Sequence, residues 1–417
     1  MSTIKPFRAL RPRKDLAERV AAPPYDVVNT KTAMKMAEGN PLSFLRIARA
    51  EIDLPPGTDL YDASVYAMAG ENLQRLVRDG IMVQDPTPCL YLYRQTMDGR
   101  TQLGLVTLVS AVEYDEGKIK IHEKTLKRKE DDRVNYILGT RAHNEPVFLS
   151  FRATETLRTL MQDPTKQEPE YDFTTDDQFG RVRHEFWVVD DENAIKAISD
   201  AFSTLPALYV ADGHHRSASA WRVWKQLKSE NPNHTGQEEY NFFMAVVFPH
   251  DELFIYDYNR VIRDLGGLSP EKFFEKACQS FTVSTPFPSR KPAQKHEFGM
   301  YMDGTWHLLT ARPGSFDGND PYQRLDVSII HENLIQPVLG IDDPKTNPRI
   351  DFVGGILGMD ELERLVDSGE FTLAISIFPT SLEDVFDVAD RNMTMPPKST
   401  WFEPKLRSGL FVHPLDS

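Results

Sequence analysis

The sequence predicts a mixed α/β fold of the α+β kind, built on a mixed sheet, and three observations predict it. Strand-like and helix-like segments alternate along most of the 417 residues. Ala207 to Ala211, a short apolar run after Pro206, passes through Asp212-Gly213 into the helix-like Arg216 to Lys228. Asn241 to Phe248 and Leu253 to Ile255 read as a strand pair joined by the turn Pro249 to Glu252, an antiparallel element of the same sheet.

Pro-rich stretches at Ala21 to Asp26, Asp53 to Gly57 and Met395 to Pro404 mark ordered turns or linkers. Aromatic and β-branched content makes Leu90 to Tyr93, Leu103 to Val112 and Pro146 to Phe151 strands, while Glu130 to Thr140 and Glu192 to Phe202 read as helices. The hydrophilic run Ser284 to Gln294 separates a core, 1–283, from a C-terminal α/β part, 295–417, expected to pack on it. In that part Leu325 to Leu339 and Leu382 to Asp390 are helix-like and Thr372 to Ile377 is strand-like. There is no internal repeat.

Composition excludes several classes of function. A chain of this length can bury sizeable cores without staples. Cys89 and Cys278 lie far apart, with no neighbouring ligand at metal spacing, and are read as buried, inert thiols. No apolar run reaches the ~18 residues of a membrane span, and Met1 to Pro6 lacks the apolar stretch of a secretion signal, so a cytoplasmic location is expected. A net charge of −14 works against binding a polyanion. The basic cluster Lys118 to Lys129 is short and mixed and reads as a solvated loop. Gly-x-Ser-x-Gly, Walker-type and dinucleotide-binding Gly patterns are absent, and His331-Glu332 has Ile335 where a zinc-protease helix needs its second His.

The chemistry concentrates in Asp212-Gly213-His214-His215-Arg216. A strand that ends in Asp-Gly and opens directly into a helix leaves backbone N–H groups free where glycine permits close approach. The helix dipole and the fork of Arg216 both attract a phosphate. His214 and His215 can donate hydrogen bonds or move a proton, and Asp212 can hold a metal, orient an imidazole or act as base. The plain alternative is an N-cap, a turn and two surface histidines. Two histidines and an arginine at a helix start disfavour that alternative unless an anion balances them.

The run Tyr209 to Ala220 resembles the Asp-Gly-His-His-Arg signature of a bacterial and archaeal family, number one-zero-one-five in the domain-of-unknown-function series. The resemblance extends to Pro6 to Pro12, to the turn Pro23-Pro24-Tyr25-Asp26-Val27, and to Met395 to Phe402 with Pro404-Lys405-Leu406 and Gly409-Leu410. The signature loop is also similar to that of the ParB/sulfiredoxin-like group, whose members bind nucleotide phosphates at this corner and include kinases of free serine. That similarity implies a ParB/sulfiredoxin-like core and phosphoryl chemistry carried by residues 212–216.

Phosphoryl transfer needs further cations and a carboxylate near the loop. Glu123 and Asp26 are candidate catalytic groups beside Asp212, His214 and His215. Ser217, Arg133, Lys398, Ser399 and Lys405 join Gly213 and Arg216 as candidate phosphate or nucleotide ligands, and no protein metal site is expected. The leading expectation is a small-molecule kinase acting on a hydroxylated metabolite, foremost free L-serine, with ATP or ADP as donor and Mg²⁺. A phosphatase acting on phosphoserine or a similar ester, and a nucleotide-dependent binding or regulatory protein of ParB-like type, are the alternatives. The expected partners are the substrate and the nucleotide, with no membrane or nucleic acid, and a homodimer is left open.

Overall fold

A computed structural model describes residues 2–416. Its contacts divide the chain into two units, Met1–Leu253 with Pro404–Ser417, and Phe254–Glu403.

The first unit is built on a nine-stranded sheet. Its strands are β1 (Ile4–Lys5), β2 (Leu90–Met97), β3 (Arg100–Ser110), β4 (Ile119–Lys120), β5 (Val147–Phe151), β6 (Tyr171–Asp177), β7 (Gly180–Val189), β8 (Leu208–Asp212) and β9 (Phe242–Pro249). The order is β4-β8-β5-β9-β3-β2-β7-β6, with β1 against β3. Most pairs are antiparallel, but β9 runs parallel to β5 and β8 parallel to β4, so the sheet is mixed as expected. Every residue of β5 is buried, the mark of a strand covered on both faces.

Three helices place the site. They are α1 (Ala63–Arg78), α2 (Lys127–Thr140) and α3 (His214–Glu230). α3 lies on the sheet through Ala220, Val223 and Trp224, which share a core cluster with Val147, Leu149, Val210 and Phe243. α1 starts where Asp62 accepts from the Ser64 N–H at 2.9 Å. It crosses α2 at a point only glycine allows. A Cβ on Gly70 would stand 2.6 Å from the Gly139 carbonyl oxygen, and one on Gly139 would stand 2.9 Å from Tyr66 Cβ. α2 has no side-chain cap of its own.

The second unit holds an all-antiparallel six-stranded sheet. Its strands are β10 (Tyr258–Ile262), β11 (Phe281–Ser284), β12 (Glu297–Met302), β13 (Thr305–Ala311), β14 (Ile350–Gly354) and β15 (Leu373–Ile377), in the order β11-β13-β12-β15-β10-β14. The helical run from Asp326 to Leu339 contains a π-helical turn, His331–Ile335.

Three expectations are corrected. Leu253 to Ile255 does not pair with Asn241 to Phe248. The chain leaves β9 through the turn His250–Glu252, and Phe254–Tyr256 pairs antiparallel with Trp401–Glu403 in the second unit. The division therefore falls at Leu253, not at 283 to 295, and the last residues return to the first unit, where His413–Pro414 pairs with Ala142–His143. Ser284 to Gln294 is the connection between β11 and β12 inside one sheet, where hydrophilicity marks an exposed loop and not a boundary. Cys89 is buried as expected, but Cys278 is exposed.

Candidate functional site

Gly213 sets the corner after β8. Its φ of 93° lies in the left-handed region. A Cβ there would stand 3.0 Å from Arg216 Nε, so a side chain at this position would also require the guanidinium tucked beside it to give by a few tenths of an ångström. α3 then starts with no side-chain cap and no acidic residue in its first turn, and its positive end is not offset from within the helix.

Asp212 is tied on both oxygens. Oδ1 accepts from the Gly213 N–H at 2.9 Å, and Oδ2 faces Lys405 Nζ at 3.2 Å and the Arg216 guanidinium at 3.6 Å. Burial pushes its pKa up, but Lys405 and Arg216 outweigh burial and hold the carboxyl well below its usual range. Asp212 is thereby a poor base near neutral pH.

The two histidines serve the backbone. His214 Nε2 accepts from the His122 N–H at 3.4 Å, and His215 Nε2 accepts from the Leu126 N–H at 3.1 Å, supplying the cap that α2 lacks. In both rings the proton is accordingly assigned to Nδ1. His214 Nδ1 faces Glu123 at 3.9 Å. Burial, and then His122, holds His214 well below its ordinary pKa, and burial, and then Lys129, brings His215 down to about 4. Both rings are neutral near pH 7. The expected crowding of three cations at the helix start is corrected to one, Arg216.

Arg216 is 8% exposed. It donates to the Pro146 carbonyl, and its Nε has no protein partner. Burial works against its charge, but Asp212, Asp26, Glu145 and Tyr25 outweigh burial and raise its pKa. Ser217 is fully buried and donates to the His214 carbonyl at 3.0 Å. The structure thus places Arg216 and Ser217 inside the corner.

Beside the head of α3 opens a cavity of about 400 Å³, within the usual size of a small-molecule site. The turn Tyr25–Val27 contributes Tyr25 and an exposed Asp26, and Pro23-Pro24 before it fixes the approach of the chain. Arg49 and Glu51 stand on another wall, paired at 2.9 Å, with Tyr61 and Tyr66 beside them. α2 presents Lys129, Asp132, Arg133 and Tyr136, whose spacing puts them on one helix face, and α3 presents His215.

Arg133 is the hub. Its Nη2 lies 2.8 Å from Asp132 Oδ2 and its Nη1 3.7 Å from Glu145 Oε2, while its guanidinium stacks 3.8 Å from the Tyr25 ring centroid. Glu145 in turn accepts from the Tyr25 N–H at 3.1 Å and from Ser408 Oγ at 3.0 Å. Burial raises the Glu145 pKa, opposed by Arg133 and Arg216. Arg133, Asn144, Glu145 and Arg216 also line a small space of about 20 Å³. It has room for one water, at the place where Arg133 Nη1 and Arg216 Nε lack hydrogen-bond partners.

Of the residues singled out by sequence, Asp26, Arg133 and His215 meet at the cavity, and Asp212, Gly213, His214, Arg216 and Lys405 form the corner behind it. Glu123 faces His214 and does not line the cavity. Lys398 and Ser399 belong to the second unit, where the Lys398 carbonyl accepts from Arg260 at 3.0 Å and Ser399 Oγ donates to the Pro396 carbonyl at 2.6 Å. Arg49, Lys129, Tyr61, Tyr66 and Tyr136 are wall residues not anticipated. For Lys129 the signal was available, because it sits three and four residues before Asp132 and Arg133.

Among the described residues, no group of three or more His, Cys, Asp or Glu converges to hold a metal ion. A Mg²⁺ carried with a nucleotide needs only one or two carboxylates besides phosphate oxygens. Asp26 can supply one, whereas Asp132 is held by Arg133 and by the Tyr66 hydroxyl at 3.0 Å. Among the described residues, no helix is long and apolar enough to cross a membrane.

A family model described as a protein of unknown function, DUF1015, matches residues 4–328. No curated protein matches the sequence. Among solved structures, a free serine kinase in complex with AMP overlaps at 10% identity and a TM-score of 0.37, over 73% of this chain and 92% of that one. SbnI with C-terminal truncation from Staphylococcus aureus overlaps at 12% identity and a TM-score of 0.39, over 75% and 89%. A conserved hypothetical protein from Pyrococcus furiosus overlaps at 13% identity and 0.36, over 75% and 96%. Overlaps this loose assign no residue and no substrate.

Proposed function

Because the chain belongs to that family of unknown function, we propose a function from the site itself: a small-molecule kinase that transfers a phosphoryl group from ATP or ADP to a hydroxylated metabolite, foremost free L-serine. The observation that carries it is the convergence of Lys129, Arg133, Arg49 and His215 with the exposed carboxylate of Asp26 around one cavity of about 400 Å³. Cations and a neutral imidazole donor bind phosphoryl oxygens, and a carboxylate receives a hydroxyl proton.

Asp26 is the base in this reading. Asp212 is tied to Lys405, while His214 and Glu123 face each other away from the cavity. The acceptor hydroxyl loses its proton to Asp26 as its oxygen bonds phosphorus, and the bond from phosphorus to the donor's bridging oxygen breaks. Lys129 and the Nδ1–H of His215 hold the transferred group, and the corner at residues 212–216 fixes His215 and the charge of Arg216 behind it. A Mg²⁺ carried in with the nucleotide would be held by one carboxylate oxygen of Asp26 and would supply charge neutralisation for the phosphates.

The test is to incubate the purified protein with serine plus ATP, ADP or pyrophosphate, and separately with phosphoserine, following products by mass spectrometry. Phosphoserine formed only with a donor, and lost in Asp26→Asn, supports the reading. Phosphoserine hydrolysed without a donor assigns a phosphatase instead. Nucleotide binding without turnover of any hydroxylated metabolite assigns a binding protein.

A further inference from the structure

The second unit contains a buried guanidinium with no carboxylate to answer it. Arg260, on β10, is 3% exposed. Its Nη2 donates to the carbonyls of Pro397 at 3.4 Å and Lys398 at 3.0 Å, and Nη1 donates to the Tyr258 carbonyl. Its guanidinium stacks 4.7 Å from the Phe352 ring centroid. Neutral carbonyls and a ring do not neutralise a charge taken out of water, so burial brings this arginine down to about 9. Every other buried arginine described here, such as Arg133 and Arg216, has carboxylates around it.

Arg260 lines a cavity of about 190 Å³ within this unit. The π-helical turn brings His331 to the same cavity, with its Nδ1 buried and without a partner. Such turns widen a helix at one point and recur at functional sites. Tyr322 adds a phenol and Asp342 a carboxylate at the wall, and Asp342 is exposed. The remaining lining is apolar: Val327, Ile335, Phe352 and three prolines. The run Pro396-Pro397-Lys398 thereby acquires a role, since the Pro397 and Lys398 carbonyls orient Arg260 beside the cavity.

We propose that this cavity binds a small organic monocarboxylate, its carboxylate on Arg260 and His331 and its body against Phe352, Val327 and Ile335. One guanidinium with one imidazole suits a carboxylate, whereas a phosphate surrounded by apolar walls would leave charge unmet. The site is separate from the cavity assigned above and does not depend on that function.

The experiment is isothermal titration of the full chain with acetate, propionate and pyruvate, with propionamide as the neutral isostere and inorganic phosphate as the alternative anion. Carboxylate binding, absent for the amide and at least tenfold weaker in Arg260→Met, is expected. Should Arg260→Met fail to fold, Val327→Phe fills the cavity while leaving the arginine, and it is expected to abolish binding equally. No carboxylate binding, equal binding of propionamide, binding of phosphate alone, or unchanged affinity in Val327→Phe overturns the proposal.

Discussion

Lys405 Nζ lies 3.2 Å from Asp212 Oδ2, joining a residue of the C-terminal segment to the end of a strand 193 positions earlier. The same segment hands its Lys405 carbonyl to Gln95 Nε2 at 2.9 Å and places Arg407 Nη1 2.8 Å from Asp177 Oδ2. A tail so anchored is part of the corner's construction. Replacing Lys405 by Met leaves the partly buried Asp212 with the Gly213 N–H and, as its one remaining cation, Arg216 at 3.6 Å. Breaking a buried pair costs about 3–5 kcal/mol, and solvent at Asp212 reduces this to about 1–3 kcal/mol. Urea unfolding at pH 7 reads the loss, and a variant as stable as the parent would show that the ion pair is incidental.

Gly213 is constrained twice, by a φ of 93° and by Arg216 Nε 3.0 Å from where a Cβ would sit. Gly213→Ala must therefore strain the backbone, at roughly 1–2 kcal/mol, and displace the guanidinium. Gly213→Asn tolerates the φ better but meets the same guanidinium. The two variants are expected to lose phosphate-donor affinity alike while differing in melting temperature. Full donor affinity in either would remove the corner from the binding site.

Buried neutral histidines make the protein acid-sensitive. Burial pushes His122 down to about 4 and His143 down to about 3, with His413 adding to the second. An unfolded chain binds their protons near pH 6.5, so between that pH and the folded values it carries more protons than the native state. Stability is complete above about pH 6.5 and falls as the pH is lowered towards 4, by on the order of 2–3 kcal/mol for each ring. Urea midpoints at pH 7 and 4.5 measure this. Glu239, which His413 and Lys5 bring down to about 2 against its burial, adds its own loss as the pH falls towards 4.5, so the share of the rings is the difference between the parent and the variants. His122→Gln and His143→Phe are expected to flatten the profile, and an unchanged slope in both would mean the rings are protonated in the native state.

The legible parts of this molecule were those whose cause is local. The turn from strand to helix at Asp212-Gly213 follows from glycine's freedom and the length of the apolar run, and it stands where expected. Asp26 was legible because two prolines precede it. The cavity wall was not, since Arg49 and Tyr66 reach it through tertiary packing that sequence spacing does not encode. The histidines show the subtler failure. Their charge depends on burial and on backbone donors at His122 and Leu126, so a pair that reads as two potential cations is a pair of neutral acceptors. Phe254–Tyr256 failed for a similar reason, because a three-residue strand does not announce its partner and Trp401–Glu403 lies far along the chain.

The crossing of α1 and α2 is the last dependence that can be tested. Gly70 and Gly139 bring the helix backbones together, and this sets the position of the face that carries Lys129, Asp132 and Arg133. A methyl at Gly70 would sit 2.6 Å from a carbonyl oxygen, and backbone cannot yield as a side-chain tip can. Gly70→Ala is expected to push α2 outward and cost about 1–3 kcal/mol, as overpacking does. Lys129 and Arg133 should then sit wrongly for a phosphoryl group, weakening donor binding, while Asp212 and Lys405 remain paired. The distinguishing measurement is donor affinity at a temperature where the variant is fully folded by circular dichroism. Weakened affinity there places the binding groups on α2, whereas parental affinity would show that the corner alone holds the donor.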